Sequence, residues 1–427
     1  MKLFMSMAKT TAVAVLTLSC VSYAVAAEGD DPVRFSVDVF AEQNDNRDSV
    51  GDPPPQFAGR YATAEFPPKK EDQMRLGISP KISIFKKFDN GQLLFRYAPT
   101  FQYWDNVRIG DNETEWSHDL FAQYFYKVER HYAFKIEDNF KYIQDGDLYL
   151  GSESFDFDPS ADRFDDENSH YDNRVGGEVS YFLSEHLIAQ VSAYQRMKRY
   201  DDEDLSENGD EDEYGASAYI WKEMSDIFDL SLMGVYGSSD EENTDDIDKS
   251  VDTMTFGVAA NYRFSEVAKL FLSYGYEFVM YGNDEFEDQE CPTDLKAELD
   301  FAFSSRFSTQ VGARYGITDS YNYPYASQDL TAIYGIATWR HTPKLSTTYR
   351  AEFRSTDYEK KYVDMDTANL EKYPDGSEDE LYLRFGINCL VTPKTKISLY
   401  YSYTDVDSDI DDSYDSSTIG ARASYEF

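Results

Sequence analysis

The chain has 427 residues, a formal net charge of -40 and a mean hydropathy of -0.61. Such values are typical of acidic soluble or disordered proteins, but aromatic residues make up 16% of the chain, with 35 Tyr and 29 Phe, which excludes disorder. After the N-terminal segment no stretch approaches the roughly 20 apolar residues of a transmembrane helix, which argues against a helical membrane protein. We therefore expect the aromatic residues in strands and the carboxylates in loops.

The first 26 residues have the pattern of a cleaved secretory signal peptide. Lys2 and Lys9 precede an apolar stretch that ends at Ala24-Val25-Ala26, a small-x-small cleavage site. The sequence thus predicts export, with residues 27–427 forming one domain. About six residues separate the cleavage site from the first strand pattern, which leaves no room for a plug domain before it.

From Val33 onward the sequence alternates between apolar and polar residues with period two, which is typical of strands with one apolar face. In "VRFSVDVFAE", for example, Val33, Phe35, Val37 and Val39 share one face. The pattern predicts 18 strands, at 33–42, 74–84, 92–104, 116–128, 132–143, 171–183, 187–198, 213–221, 229–238, 251–264, 269–281, 293–303, 306–318, 329–340, 345–355, 380–391, 396–404 and 416–427.

The connections between these strands alternate strictly between short and long. Short ones such as "KKFDNG", with the hairpin signal Asn90-Gly91, alternate with longer segments that are mostly acidic. Strands of about ten residues joined in this way predict a transmembrane antiparallel up-and-down β-barrel, with short periplasmic turns and long acidic extracellular loops. Because the patterns at 213–221 and 229–238 are the weakest, 16 strands is the alternative. A soluble β-sandwich or propeller predicts shorter strands and no such alternation of loops.

The polar faces of the predicted strands carry many charged residues of both signs. Such a face makes sense in a wet channel, because burying these groups in a dry interior costs several kcal/mol each unless they are paired. The alternative is that they pair across the wall as structural scaffolding. The predicted pore-lining residues are Arg96, Asp119, Arg174, Arg314, Arg350, Arg354, Arg384 and Arg422.

The segment 144–170 joins the fifth and sixth strands and holds nine carboxylates and one Arg. At this place the sequence resembles general bacterial outer-membrane porins, whose corresponding loop folds inward and narrows the channel. The resemblance implies that Asp156, Asp158, Asp165, Asp166 and Glu167 face basic wall residues across a constriction. The Pro-Glu-Phe-Gly-Gly type of motif found in such loops is absent, so a solvated surface loop is the alternative.

Aromatic residues also occur on the predicted inner faces. By resemblance to 18-stranded sugar porins they would form a sugar-stacking track, whereas isolated inner aromatics serve packing. The residues are Trp104, Phe121, Phe125, Tyr194, Tyr219, Trp221, Trp339, Tyr382 and Tyr400.

The segment "TDVDSDIDD" places Asp405, Asp407, Asp409 and Asp411 at alternate positions of a predicted loop, as a weak candidate site for calcium. It lacks the Gly at the sixth position and the Glu at the twelfth that an EF-hand needs, so an exposed acidic loop is the alternative. The five His are scattered and no Gly-x-Ser-x-Gly occurs, so we expect neither catalysis nor a cofactor.

The C-terminal segment "SSTIGARASYEF" continues the strand pattern to Phe427. We expect this strand to close the barrel against the first strand and leave no open edge. Tyr425 and Phe427 also resemble the C-terminal signal that the outer-membrane assembly machinery reads, although Gly420 lies two places earlier than the Gly of that signal.

Length and strand count across the mature chain resemble the outer-membrane family known as β-barrel porin 2. This resemblance rests on architecture and implies a porin for passive diffusion of small hydrophilic solutes in the cell outer membrane. It also implies an alternative, the barrel of an exopolysaccharide secretion system; a structural or adhesive barrel with a blocked lumen is a third. The expected partners are outer-membrane lipid and lipopolysaccharide, the assembly machinery, the solutes and divalent cations at acidic loops, with no nucleic acid.

Overall fold

The computed structural model describes residues 33–45, 72–105, 114–128, 131–144, 169–200, 210–241, 250–282, 288–319, 327–359, 376–409 and 413–427. The predicted signal peptide lies outside these residues. The described strands are β1 (Val33–Asn44), β2 (Gln73–Phe88), β3 (Gly91–Trp104), β4 (Thr114–Val128), β5 (Tyr132–Ile143), β6 (His170–Ser184), β7 (Leu187–Tyr200), β8 (Glu211–Ser225), β9 (Phe228–Glu241), β10 (Val251–Ser265), β11 (Ala268–Tyr281), β12 (Gln289–Ser304), β13 (Phe307–Asp319), β14 (Ser327–Thr342), β15 (Leu345–Glu359), β16 (Gly376–Thr392), β17 (Thr395–Ser408) and β18 (Tyr414–Glu426).

These strands form one closed antiparallel sheet. Each strand pairs with its neighbours in sequence, and β1 also pairs with β18, so the sheet has no open edge. The prediction of an 18-stranded up-and-down barrel is confirmed, and the alternative of 16 strands is wrong because both β8 and β9 are present. No helix in the described ranges is long and apolar enough to cross a membrane.

Most strands extend a few residues beyond their predicted bounds. The strand β8, predicted at 213–221, spans Glu211–Ser225, and β17, predicted to end at residue 404, continues to Ser408. Their polar ends remain in the sheet because backbone pairing to both neighbours continues past the apolar residues.

Five of the short turns are fixed locally by a Ser or Thr that ends the preceding strand. The side-chain oxygen accepts a hydrogen bond from the backbone N–H two residues later, which stabilises a tight turn. The oxygen-to-nitrogen distances are 3.2 to 3.3 Å at Ser184, Ser265, Ser304, Thr342 and Thr392.

The turn predicted at Asn90-Gly91 is present between β2 and β3 and occupies Asp89 and Asn90. Gly91 is the first residue of β3, and a Cβ atom there would lie 2.6 Å from the carbonyl oxygen of Phe125 on β4. Glycine is therefore needed at this position for the close approach of the β4 backbone.

The β1–β18 seam is the set of contacts that closes the barrel, with Ser36–Asn44 opposite Thr418–Glu426. On the inner face Arg422 forms an ion pair with Asp38, and both side chains are almost fully buried. Lys81 of β2 lies 3.8 Å from the same carboxylate. At the turn end, the N–H of Phe427 donates to the carbonyl of Phe35 at 2.9 Å.

Replacement of Arg422 by Met is expected to destabilise the barrel by about 3 to 5 kcal/mol, because it removes the main partner of a buried carboxylate. The measurement is equilibrium unfolding in urea from detergent micelles. The matched control is Arg34→Met, since Arg34 lies 3.9 Å from Glu426 in an exposed pair and should cost less than about 1 kcal/mol. Equal losses in the two variants would contradict this account of the seam.

A histidine lies in the turn between β6 and β7. The Nδ1 of His186 is 2.9 Å from the carboxylate of Glu223 on β8, and both side chains are accessible to solvent. The hydrogen bond to Glu223, followed by its charge, raises the pKa of His186 above its usual value near 6.5. The pair therefore links β6–β7 to β8 while the imidazole is protonated.

Because the folded-state pKa is raised, the stabilisation by this pair is fully present below about pH 6.5 and is lost as pH rises through the folded-state pKa. The variant Glu223→Gln is expected to lower the pKa of His186, as measured by NMR titration. Glu266→Gln, at the turn between β10 and β11, is the control that should leave this titration unchanged. An unchanged pKa in Glu223→Gln would rule out the assigned cause.

Candidate functional site: the charged inner wall

The two faces of each strand form an outer wall and an inner wall of different chemistry. One face exposes large apolar side chains, for example Ile136 and Phe256, each 58% exposed, and Val191, 56% exposed. Most of the ion pairs lie on the opposite face. Since a barrel in lipid presents its apolar face outward, the charged face is the inner wall.

The predicted pore-lining residues all lie at inner-wall positions, and most of them are engaged in ion pairs. Arg96 lies 3.1 Å from Asp119, and Arg422 pairs with Asp38. Glu352, which is only 1% exposed, lies 2.9 Å from Arg350 and 3.7 Å from Arg354. These ion pairs favour a scaffolding role, the alternative to a solute-contacting role, for Arg96, Arg350, Arg354 and Arg422.

Three predicted arginines differ from the others. Among the described residues, Arg174, Arg314 and Arg384 have no carboxylate within 4.0 Å, the limit for an ion pair. The guanidinium of Arg174 lies over the ring of Tyr194 at 3.9 Å, and that of Arg384 lies over Tyr400 at 4.5 Å. The charges of Arg174 and Arg384 are therefore held against the wall by aromatic rings. Beyond the ion-pair limit, Glu137 and Asp294 interact electrostatically with Arg174 and Arg314.

A row of alternating charges crosses five strands of the inner wall, from β4 to β8. Directly opposite residues across this row are Asp119 and Lys141, Lys141 and Asp172, Asp172 and Lys198, and Lys198 and Glu211. Opposite charges facing each other across strands contribute roughly 0.2 to 1 kcal/mol per pair. The sequence contains these residues, but the row follows from strand register, which single-strand periodicity does not reveal.

Several inner aromatic rings cover glycines of the neighbouring strand. Tyr194 covers Gly215, and Tyr400 covers Gly420, in each case as direct register partners. An arginine guanidinium also lies over each of these rings, 3.9 Å from the ring centroid of Tyr194 and 4.5 Å from that of Tyr400. Packing is thus the role that their contacts support.

The prediction that Trp339 faces inward is wrong. Trp339 is 50% exposed, lies opposite Phe307 and contacts that ring with centroids 6.1 Å apart on the outer wall. The strand β14 has apolar residues on both faces, so its alternation does not identify the inner one. The other eight residues of the predicted aromatic track are at inner-wall positions.

The candidate calcium ligands Asp405 and Asp407 lie on β17, on its outer face, and not in a loop as predicted. Asp409 follows β17 and accepts a hydrogen bond from Ser377. Asp411 is outside the described residues, and within them no group of three His, Cys, Asp or Glu is arranged to hold a metal ion.

The predicted constriction residues Asp156, Asp158, Asp165, Asp166 and Glu167 lie outside the described residues. The described strands before and after their segment are β5, which ends at Ile143, and β6, which begins at His170. Tyr425 lies on β18 opposite Val37 of β1, and its ring is 5.0 Å from that of Phe427.

Solved structures share this fold. The improved crystal structure of OccK1 (OpdK) from Pseudomonas aeruginosa is 11% identical, with a TM-score of 0.50 over 92% of this chain and 99% of that chain. OccK5 (OpdH) from the same organism is 10% identical, with a TM-score of 0.49 over 94% and 100%. The siderophore receptor PirA from P. aeruginosa is 8% identical, with a TM-score of 0.47 over 94% and 81%.

No protein-family model matches the chain, and no curated protein sequence matches it significantly. At 11% identity the likeness to OccK1 shows a common fold and nothing finer. The comparisons therefore agree with the barrel fold.

The glycines beside Tyr400 provide a test of the inner-wall packing. A Cβ at Gly420 would clash with the Tyr400 ring, whereas at Gly386, the register partner on the other side, the nearest atoms are 3.9 and 4.0 Å away. Gly420→Ala is expected to cost about 1 to 3 kcal/mol by overpacking, and Gly386→Ala less than roughly 0.5 kcal/mol. Urea unfolding of the two variants measures the difference, and comparable stabilities would refute the packing role of the ring.

Proposed function

We propose that the protein is a porin of the bacterial outer membrane, with a water-filled channel for passive diffusion of small hydrophilic solutes. The observation that carries the proposal is a closed 18-stranded barrel with a charged inner wall and an apolar outer wall. The proposal assigns no catalytic step and no cofactor to the chain. The architectural resemblance to the β-barrel porin 2 family is consistent with this role.

The outer wall supports a location in a membrane. Exposed aromatic residues lie near both ends of the strands, as in the girdles that flank the apolar band of outer-membrane barrels. Near the loop ends they are Phe101, Tyr103, Trp116, Tyr171 and Tyr214, and near the turn ends Tyr126, Tyr132, Tyr181, Phe303 and Trp339. Lipid then covers the apolar band between the girdles.

The inner wall supports a wet lumen. Barrels of 16 to 18 strands enclose an aqueous channel. Water solvates the charges of Arg174, Arg314 and Arg384, which have no ion-pair partner among the described residues and would be costly to bury dry. A solute that crosses the barrel contacts these arginines and the neighbouring ion pairs of the inner wall.

The proposal includes four further expectations. The acidic segment 144–170 narrows the channel, the acidic loops bind divalent cations together with lipopolysaccharide, and the outer-membrane assembly machinery reads β18 through Tyr425 and Phe427. The solutes are small and hydrophilic. These expectations rest on the sequence pattern and on the resemblance to porins.

The test is single-channel conductance of the purified protein in planar lipid bilayers. A stable open channel is expected for the full chain. A closed channel that opens only after deletion of residues 146–168 would indicate gating by that segment. An absence of conductance in both forms would contradict the pore and favour a structural barrel. In a separate experiment, accumulation of a polysaccharide inside cells lacking the protein would favour a role in polysaccharide export.

The same recordings test the role of Arg384. Replacement of Arg384 by Gln is expected to lower the permeability of chloride relative to potassium, because it removes an uncompensated positive charge from the inner wall. Lys222→Gln is the matched control, since Lys222 lies opposite Leu187 on the outer face of β8 and carries the same charge. A shift of equal size in both variants would show that Arg384 does not face the permeating ions.

A further inference from the structure

Asp138 of β5 is an acidic residue on the outer wall, far from both ends of its strand. Asp138 is the seventh of the twelve residues of β5, and on its face it is preceded by Phe134 and Ile136 and followed by Phe140 and Tyr142. The register is continuous from Tyr132 to Ile143, so the alternation that points Ile136 outward also points Asp138 outward.

Other outer-wall aspartates of the described strands have a different position. They lie within four residues of the loop ends of their strands, where the barrel emerges from the apolar band. These residues are Asp212, Asp240, Asp252, Asp329, Asp357, Asp379, Asp405, Asp407 and Asp415. Asp138 is thus at a depth where a lipid-facing carboxylate has no solvating partner.

The surroundings of Asp138 contain further polar groups. Its Oδ1 atom is enclosed in the wall without a hydrogen-bond partner, and the same holds for the Oδ1 atom of Asn173 on β6. An outside molecule therefore reaches these side chains through Oδ2 of Asp138 and Nδ2 of Asn173. Gln195 of β7 lies in the same register row as Asp138, across Val175, and its amide donates to Tyr214 at 3.3 Å. We name Asp138, Asn173 and Gln195 the outer polar patch.

The next row toward the turn end carries small residues. Gly177, Ala193 and Ala216 are successive register partners on β6, β7 and β8. A Cβ at Gly177 would have only the carbonyl oxygen of Lys135 within 4 Å, at 3.8 Å, so the wall is open there. Small residues permit close approach of two walls in lipid, and polar side chains beside them supply hydrogen bonds across the contact.

We propose that the outer polar patch and this row form the interface with a second copy of the chain in the membrane. Lipid tails cannot hydrogen-bond to Oδ2 of Asp138 or Nδ2 of Asn173. A second copy presents the amide N–H groups of its own Asn173 and Gln195 to the first atom and its own Asp138 to the second. The patch contains both the acceptors and the donors, and such self-complementarity is what a two-fold contact requires. The inference rests on the proposed function only in that the barrel is inserted in a membrane.

The first test is cross-linking in membranes, with Cys291 and Cys389 replaced by Ser. Val175→Cys, at the centre of the patch, is expected to give a covalent dimer with a short bis-maleimide. Ile333→Cys is the matched control, since Ile333 is also an exposed outer-wall aliphatic residue but lies on β14. No dimer with Val175→Cys, or equal dimer with both variants, overturns the proposal.

The second test compares Asp138→Leu with Asp138→Asn by native mass spectrometry in detergent. Asparagine keeps a hydrogen-bonding side chain, so Asp138→Asn should dimerise like the wild type, while Asp138→Leu should weaken association about tenfold. Unchanged dimerisation of a more stable Asp138→Leu would show that the residue only faces lipid. If that variant fails to fold, the cross-linking pair decides.

These outcomes are separable from those of the proposed function. A dimer without conductance contradicts the proposed porin function and supports the interface. A conducting monomer supports the porin function and contradicts the interface.

Discussion

The constraint on which the rest of the structure depends is that each backbone N–H and C=O in lipid needs a partner within the protein. The β1–β18 seam meets it by pairing Ser36–Asn44 with Thr418–Glu426, so neither strand has an exposed edge. Once the sheet is closed, strand alternation fixes which side chains face inward. The seam is also where the wall buries the pair of Arg422 and Asp38, so closure of the backbone and compensation of charge coincide.

Many inner-wall arginines form ion pairs with neighbouring carboxylates. The inner wall therefore has fewer unpaired positive charges than the number of its arginines in the sequence indicates. Arg350 and Arg354 share Glu352, and Arg96 pairs with Asp119. These ion pairs are part of the rigid wall. The guanidinium groups of Arg174 and Arg384 instead lie over aromatic rings, which contact glycines of the next strand. The electrostatic character of the lumen therefore depends on a few positions, and a count of arginines overstates it.

Much of this fold follows from the sequence because period two within a strand and loop length between strands are local properties. The number of strands, their order and the inner side of Arg96 or Arg384 are read in this way. Register depends on how neighbouring strands pair and not on one strand alone. The row of alternating charges from Asp119 to Glu211 could therefore be recognised only in the structure. Alternation does not identify the inner face of a strand with apolar residues on both faces, as at Trp339 on β14. It also places strand ends too early where they are polar, as at Asp405 on β17, because polar residues are typical of loops.

The positions of the outer-wall aspartates explain how a chain of net charge -40 forms a membrane barrel. Strands of 12 to 17 residues exceed the roughly 9 to 11 that cross a bilayer, so several residues extend past it. Aspartates such as Asp252 and Asp329 lie in that extension at the loop end, where water solvates them. These outer-wall aspartates therefore lie above the apolar band and not within the inner wall. Asp138 departs from this arrangement, and its depth is the reason that a protein neighbour rather than lipid suits its face of the barrel.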